Sequence, residues 1–198
     1  MRVVVCCENP KLAMDIKVRA AIPGDYQDIL QLQMQNLPSY LSPEVRLREG
    51  FVSIQHSIDM LAALNQPVAH TVANSKVEQN LLGYALSMAP VHRKVVPGLE
   101  PMFAQFDDLI WDGRAVREMR YTAMGQVCVA ATARGRGVFR KLYAGWCEQQ
   151  ARQFELGLTE IEASNQRSLD AHAALGWREL ARYRQGEHHW VIVGSALS

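Results

Sequence analysis

The sequence predicts a single-domain α/β fold, and three observations carry that expectation. The first is the run Val127-Cys128-Val129, which has strand character and leads through a turn carrying Gly135 and Gly137 into a helical apolar pattern. The second is a strand-like alternation from Leu158 to Ser164, followed by a second helical pattern that stops at Gly176. The third is the order of the remaining chain, in which strand and helix signals follow one another without repeats or low-complexity stretches. At 198 residues the chain is long enough for one domain with a substantial core.

Taken in order, residues 1–16 open with Met1-Arg-Val-Val-Val-Cys-Cys7. That apolar core is shorter than the roughly 7–15 residues of a secretory signal, so the segment reads as a leader or an extra edge strand, with Met14 as an alternative start. The domain is expected over 17–198. Ile16 to Ala21 alternates as a first strand. Pro23-Gly24-Asp25 caps a helix carrying Tyr26, Ile29, Leu30 and Met34. Pro38 and Pro43 bracket a loop, and the spacing of Phe51, Ile54, Ile58 and Leu61 predicts a second amphipathic helix. Two strands are expected at Val68 to Ala73 and Leu81 to Met88, joined through the polar Asn74-Ser-Lys segment. Residues 90–120 read as an insertion with Pro97-Gly98, Pro101 and a short helical pattern over Met102, Phe103, Phe106, Leu109 and Ile110. It is either a lid over a pocket or a packing element. Ala181 to Arg184 and His189 to Val193 close the chain as an antiparallel pair.

The turn at Arg134–Phe139 carries the functional signal. A helix start leaves several backbone N–H groups unpaired at the positive end of the helix dipole, which binds anions. Gly135 and Gly137 permit positive φ and close approach of a phosphate or pyrophosphate. A Walker loop would need Lys and Ser or Thr where Val138 and Phe139 stand, and a dinucleotide fingerprint would need glycine at Arg140.

Arg134-x-x-Gly137-x-Phe139 resembles the coenzyme-A loop of the GNAT superfamily of N-acetyltransferases, whose pattern is Gln/Arg-x-x-Gly-x-Gly/Ala. The departure is Phe139, whose ring must turn away from the pyrophosphate. Asn165-Gln-Arg-Ser168, the helix after it and the exit Leu175-Gly176-Trp177 resemble the family's second conserved region. The resemblance implies a central twisted mixed sheet of about six to seven strands flanked by helices on both faces. It implies transfer of an acetyl group from acetyl-CoA, as co-substrate, to a primary amine on a small molecule or peptide, by direct attack in a ternary complex. Val127, Cys128 and Val129 would border the pantetheine arm, with free amides at Cys128 and Val129. Arg134, Gly135, Arg136, Gly137, Val138, Phe139 and Arg140 would hold the phosphates, and Asn165 and Ser168 the arm. Family members often pair as dimers.

Three side chains are candidates for proton transfer, which the attack on a thioester by an amine requires. His172 stands where many family members carry a tyrosine as general acid, Glu118 precedes the central strand as a carboxylate base, and Tyr121 opens that strand. Each also has a structural reading: a packed histidine, a solvated charge among Arg114, Arg117 and Arg120, and a strand residue. A thiol nucleophile at Cys128 is disfavoured because an apolar strand raises its pKa. The alternatives to the enzyme are a non-catalytic acyl-CoA-binding or sensing module and a nucleotide-binding protein with an unrelated glycine turn. The formal charge of +1 gives no electrostatic case for nucleic acid or anionic membrane. The four cysteines show no zinc-ligand spacing, so no metal is expected and a reduced, cytoplasmic chain is the simple reading.

Overall fold

A computed structural model describes residues 15–95 and 99–197. Residues 1–14 of the expected leader, and Pro97-Gly98, lie outside the described residues, while the last leader residue, Ile16, opens the first strand. In chain order the elements are β1 (Ile16–Ala20), α1 (Tyr26–Met34), α2 (Pro43–Glu49), α3 (Ile58–Leu64), β2 (Thr71–Ser75) and β3 (Leu81–Met88). They continue with α4 (Glu100–Asp107), β4 (Ile110–Trp111), β5 (Arg114–Ala115), β6 (Tyr121–Val129), α5 (Val138–Gln150), β7 (Leu156–Glu162), α6 (Gln166–Ala173), β8 (Arg178–Gln185) and β9 (His188–Ala196).

Seven strands form one mixed sheet in the order β1-β2-β3-β6-β7-β9-β8, while β4 and β5 make a separate small hairpin. Every neighbouring pair in the large sheet is antiparallel except β6 and β7. That parallel step needs a crossover, and α5 supplies it. Helices cover both faces. On one, Tyr26, Ile29 and Leu32 of α1 and Leu61 of α3 pack on Val72, Tyr84 and Leu86. Beside them Met102, Phe103 and Phe106 of α4 cover Tyr121, Leu156, Leu158 and Ile192. On the other face Val138, Leu142, Tyr143 and Trp146 of α5 fill the space above Leu82, Ala85 and Met124. α5 lies close to the sheet because Gly145 has no side chain: a Cβ there would stand 2.6 Å from Val18 Cγ1.

One expectation is corrected, and one element was not anticipated. The helix predicted across Phe51 to Leu61 begins only at Ile58, and Phe51–His56 carries no helix or strand. Ser57 is the reason, since its hydroxyl accepts from Met60 N and caps α3 there. The bracketed loop holds a short helical turn at Pro38–Tyr40, and a helix with no expected counterpart, α2, starts at Pro43, capped by Ser42 and closed by Gly50 at φ 77°. The described part of the 90–120 insertion packs on the sheet through α4 and also lends Leu99 and Met102 to a cavity wall. Its α4 is tied down by Arg93 and Tyr121, which both donate to Asp107.

Candidate active site: a split between two strands

β6 and β7 pair at only three positions, Tyr121–Ala123 against Leu156–Leu158. Beyond them each strand follows its other neighbour, β6 along β3 as far as Val129 and β7 along β9 as far as Glu162. A wedge opens, and the Thr159 hydroxyl pins its apex by donating to Met124 O at 2.8 Å. Strand amides alternate in direction. Ala130 N donates to Leu82 O at 2.9 Å, so the Cys128 amide also points to β3, and those of Val127 and Val129 face the wedge. This corrects the expectation for Cys128. Its thiol is buried on the α1 face, and burial pushes it up to about 12, so it is no nucleophile at neutral pH.

A cavity of ≈ 480 Å³ runs from the wedge along the start of α5, lined by Val127–Val129, Arg134, Gly135, Gly137, Val138, Phe139, Arg140, Asn165 and Ser168. Arg136 is exposed and lies outside that lining. Gly135 (φ 69°) and Gly137 (φ 80°) turn the chain so that the first amides of α5 face outward. A Cβ added at either glycine would meet nothing within 4 Å, which leaves the backbone open to a ligand. Phe139 does turn its ring away, packing on Tyr143 at 4.7 Å and His172 at 5.7 Å between centroids. Asn165 caps α6 by accepting from Ser168 N and donates to Phe51 O at 3.1 Å.

A second, smaller cavity of ≈ 80 Å³ lies on the α4 side, lined by Ile54, Leu99, Met102, Gly125, Gln126, Glu160, Glu162 and Trp190 among others. The two cavities share Phe51, Val52, Val127, Asn165 and Ser168. They therefore meet inside the wedge, one reaching it along α5 and the other from the α4 face.

The structure separates the three expected proton-transfer residues from this junction or removes their chemistry. Glu118 is exposed, and it and Tyr121 sit at the opposite end of the nine-residue β6 from the turn. Tyr121 donates to Asp107 Oδ1 at 2.8 Å, and burial raises its phenol pKa. His172 does border the second cavity, but both ring nitrogens are occupied. Nδ1 donates to Ser168 O at 2.7 Å and Nε2 pairs with the Tyr143 hydroxyl. Burial lowers its pKa to about 4. It is a neutral core histidine that fastens α6 to α5.

Sequence reasoning missed Glu160. Strand alternation places it with Leu156 and Leu158 on the α4 face, where its carboxylate accepts from the Tyr183 hydroxyl and lines the second cavity. Burial raises its pKa to about 7, with the Tyr183 hydrogen bond opposing that rise. Two glutamates, Glu160 and Glu162, on the strand face that begins with Leu156 and Leu158 were the available signal. Gln126 was also missed. It accepts from Gln33 at 2.7 Å and from the Tyr84 hydroxyl at 2.6 Å, and donates to Ile54 O at 2.8 Å, fixing the Phe51–His56 segment over the wedge.

No protein-family model matches the chain, and no curated protein matches it in sequence. Solved structures do match in fold. The ribosomal-protein-S18-alanine N-acetyltransferase of Escherichia coli superposes with a TM-score of 0.58 at 13% identity, covering 92% of this chain and 94% of its own. A GCN5-related N-acetyltransferase from Kribbella flavida gives 0.60 at 17%, covering 92% and 98%. The yncA protein of Salmonella typhimurium, solved with acetyl-CoA, gives 0.57 at 17%, covering 92% and 94%. The chain has the fold of the GNAT N-acetyltransferases.

Proposed function

We propose that the protein is an acetyl-CoA-dependent N-acetyltransferase acting on a primary amine by direct attack in a ternary complex. The observation that carries this reading is the meeting of two cavities in the β6–β7 wedge, one bordered by an amide-rich turn and the other by a partly buried carboxylate. Acetyl-CoA supplies an acyl group activated as a thioester. The outward amides of Gly135–Phe139 fit its diphosphate, because free N–H donors and the helix dipole converge there. The wedge-facing amides of Val127 and Val129 are donors for carbonyl groups of the arm and the acyl unit, where negative charge develops during attack.

The amine enters from the α4 side between Ile54, Leu99 and Met102. Glu160 is the proton acceptor in this proposal. A base works best when its pKa lies near the working pH, and Glu160 is held at about 7. An ammonium group is also drawn towards Glu160 and Glu162. Acceptors of solved structures with this fold include a ribosomal-protein alanine, and the NatC complex was solved with a peptide and CoA. A peptide or small-molecule amine suits the cavity here. Free thiols at Cys128 and Cys147 are in keeping with a reducing compartment.

Thermal unfolding with acetyl-CoA, CoA, ATP and NADH tests the reading. Each is used at about 100 times its dissociation constant, where binding adds about 2.7 kcal/mol. The midpoint should then rise by several degrees with acetyl-CoA and CoA alone, at roughly 2–4 °C per kcal/mol for a chain of this size. Mass spectrometry should next find an acetylated amine. A shift with ATP or NADH instead would leave a nucleotide-binding protein, and coenzyme binding without any acetylated amine would leave a sensing module.

A further inference from the structure

Arg134 heads the coenzyme turn, yet each of its three guanidinium nitrogens already donates to a partner inside the protein. Nη1 donates to Glu49 Oε2 at 3.0 Å, Nη2 to Asn36 Oδ1 at 2.6 Å and Nε to Val129 O at 3.2 Å, with 19% of the side chain exposed. These three partners belong to the end of α2, the segment following α1 and the end of β6. We propose that Arg134 is a positioning residue: it ties the segment Ser42–Val52 across the wedge as a strap and leaves the diphosphate to the amides that follow it. This rests on the acetyltransferase reading of the same site.

The strap is held at both sides of the wedge. On the β6 side, besides the Arg134 contacts, Val52 N donates to Asn36 O at 3.0 Å. On the β7 side Asn165 Nδ2 donates to Phe51 O at 3.1 Å. Gly50 permits the close passage between them. It sits at φ 77°, and a Cβ there would come within 2.9 Å of Asn165 Oδ1. Between these anchors lie Phe51 and Val52, the strap residues that border both cavities. Their position sets the width of the junction where amine and thioester would meet. A planar guanidinium spreads five donors in a fixed fork over three nitrogens, so it can reach acceptors on three separate segments; lysine carries its three donors on a single nitrogen, and glutamine has only two.

Two readings of Arg134 make opposite predictions for Glu49. If Arg134 is a strut, Glu49→Gln weakens the strap just as Arg134→Gln does, and coenzyme affinity barely responds. If Arg134 is a diphosphate ligand restrained by Glu49, Glu49→Gln frees it and tightens coenzyme binding. The experiment compares the wild-type protein with both variants. Acetyl-CoA is titrated calorimetrically, deuterium uptake is followed in peptides spanning 42–52, and the Michaelis constant is measured for an amine that the wild type acetylates. The strut reading expects dissociation constants within about threefold of wild type, faster deuterium uptake over 42–52 in both variants, and an amine KM raised several-fold with kcat little changed. A loss of about tenfold or more in acetyl-CoA affinity for Arg134→Gln, the worth of a charged hydrogen bond, together with a gain for Glu49→Gln, would overturn it. Unchanged uptake over 42–52 in both variants would also overturn it. If wild type binds no acetyl-CoA, the enzyme reading fails by itself, and the deuterium uptake still decides whether Arg134 holds the strap.

Discussion

Replacing Glu160 by glutamine should make the protein more stable at alkaline pH while disabling it. The carboxyl titrates at about 7 in the fold against 4.5 in the unfolded chain. A carboxyl with a raised folded pKa destabilises the fold whenever it must ionise. The cost is absent well below pH 4.5, grows as pH rises through the window from 4.5 to 7, and is complete above it. The difference of about 2.5 units corresponds to about 3 kcal/mol at pH 8 and less than about 1 kcal/mol at pH 5. Glutamine keeps an acceptor for the Tyr183 hydroxyl and carries no charge, so it escapes this cost. At roughly 2–4 °C per kcal/mol, the variant should melt roughly 6–12 °C above wild type at pH 8, with a much smaller gap at pH 5. The comparison isolates Glu160 because His56, His70 and His172 are common to both proteins. The assay is a melting curve of each protein at both pH values. A constant gap between them would refute the desolvated, protonation-coupled carboxylate. Loss of a general base should lower turnover by about 10²–10⁴ in the same variant.

Tyr183→Phe removes a donor to the ionised carboxylate, so the Glu160 pKa should rise further and the acid limb of the pH–rate profile should move up, which glutamate carbonyl NMR titration can follow. His172→Phe strands the Tyr143 hydroxyl and Ser168 O, so stability should fall by about 1–3 kcal/mol with kcat retained below the melting point. His56, His70 and His172 are each held at about 4 by burial, and stability should therefore drop as pH falls from 6.5 towards 4, as melting curves over that range would reveal. Gly145→Leu forces a side chain against Val18 and should destabilise by at least about 1–3 kcal/mol in denaturant titration.

The parts of this molecule that were legible in its sequence are those governed by local rules. The strand–turn–helix at Val127–Leu142 could be read because β-branched residues, paired glycines and an apolar stripe each act over a few residues. Asn165 and Gly176 marked the two ends of α6 for the same reason. The α2–α3 region misled because Phe51 and Ile54 share the spacing of a helical stripe, yet Gly50 and Ser57 reset the backbone on either side of them. The base proposed here, Glu160, was hidden for a different reason. Glu118 was the carboxylate nearest the central strand in sequence, but direction along β6 puts it at the far end from the turn. Glu160 reaches the wedge only because β7 departs from β6 after Leu158, and a neighbour-strand separation leaves no local signature. His172 occupies the expected helix position, but Phe139 and Tyr143 from a different helix enclose it and take away its charge.

The most direct test of the account is the pH dependence of amine-dependent thiol release from acetyl-CoA, measured for wild type and Glu160→Gln on the same amine. Wild-type kcat/KM should rise with pH through an apparent pKa near 7, and the variant should be slow with no inflection there. Profiles of the same shape and height in both proteins would contradict the assignment of Glu160 as the base in the wedge.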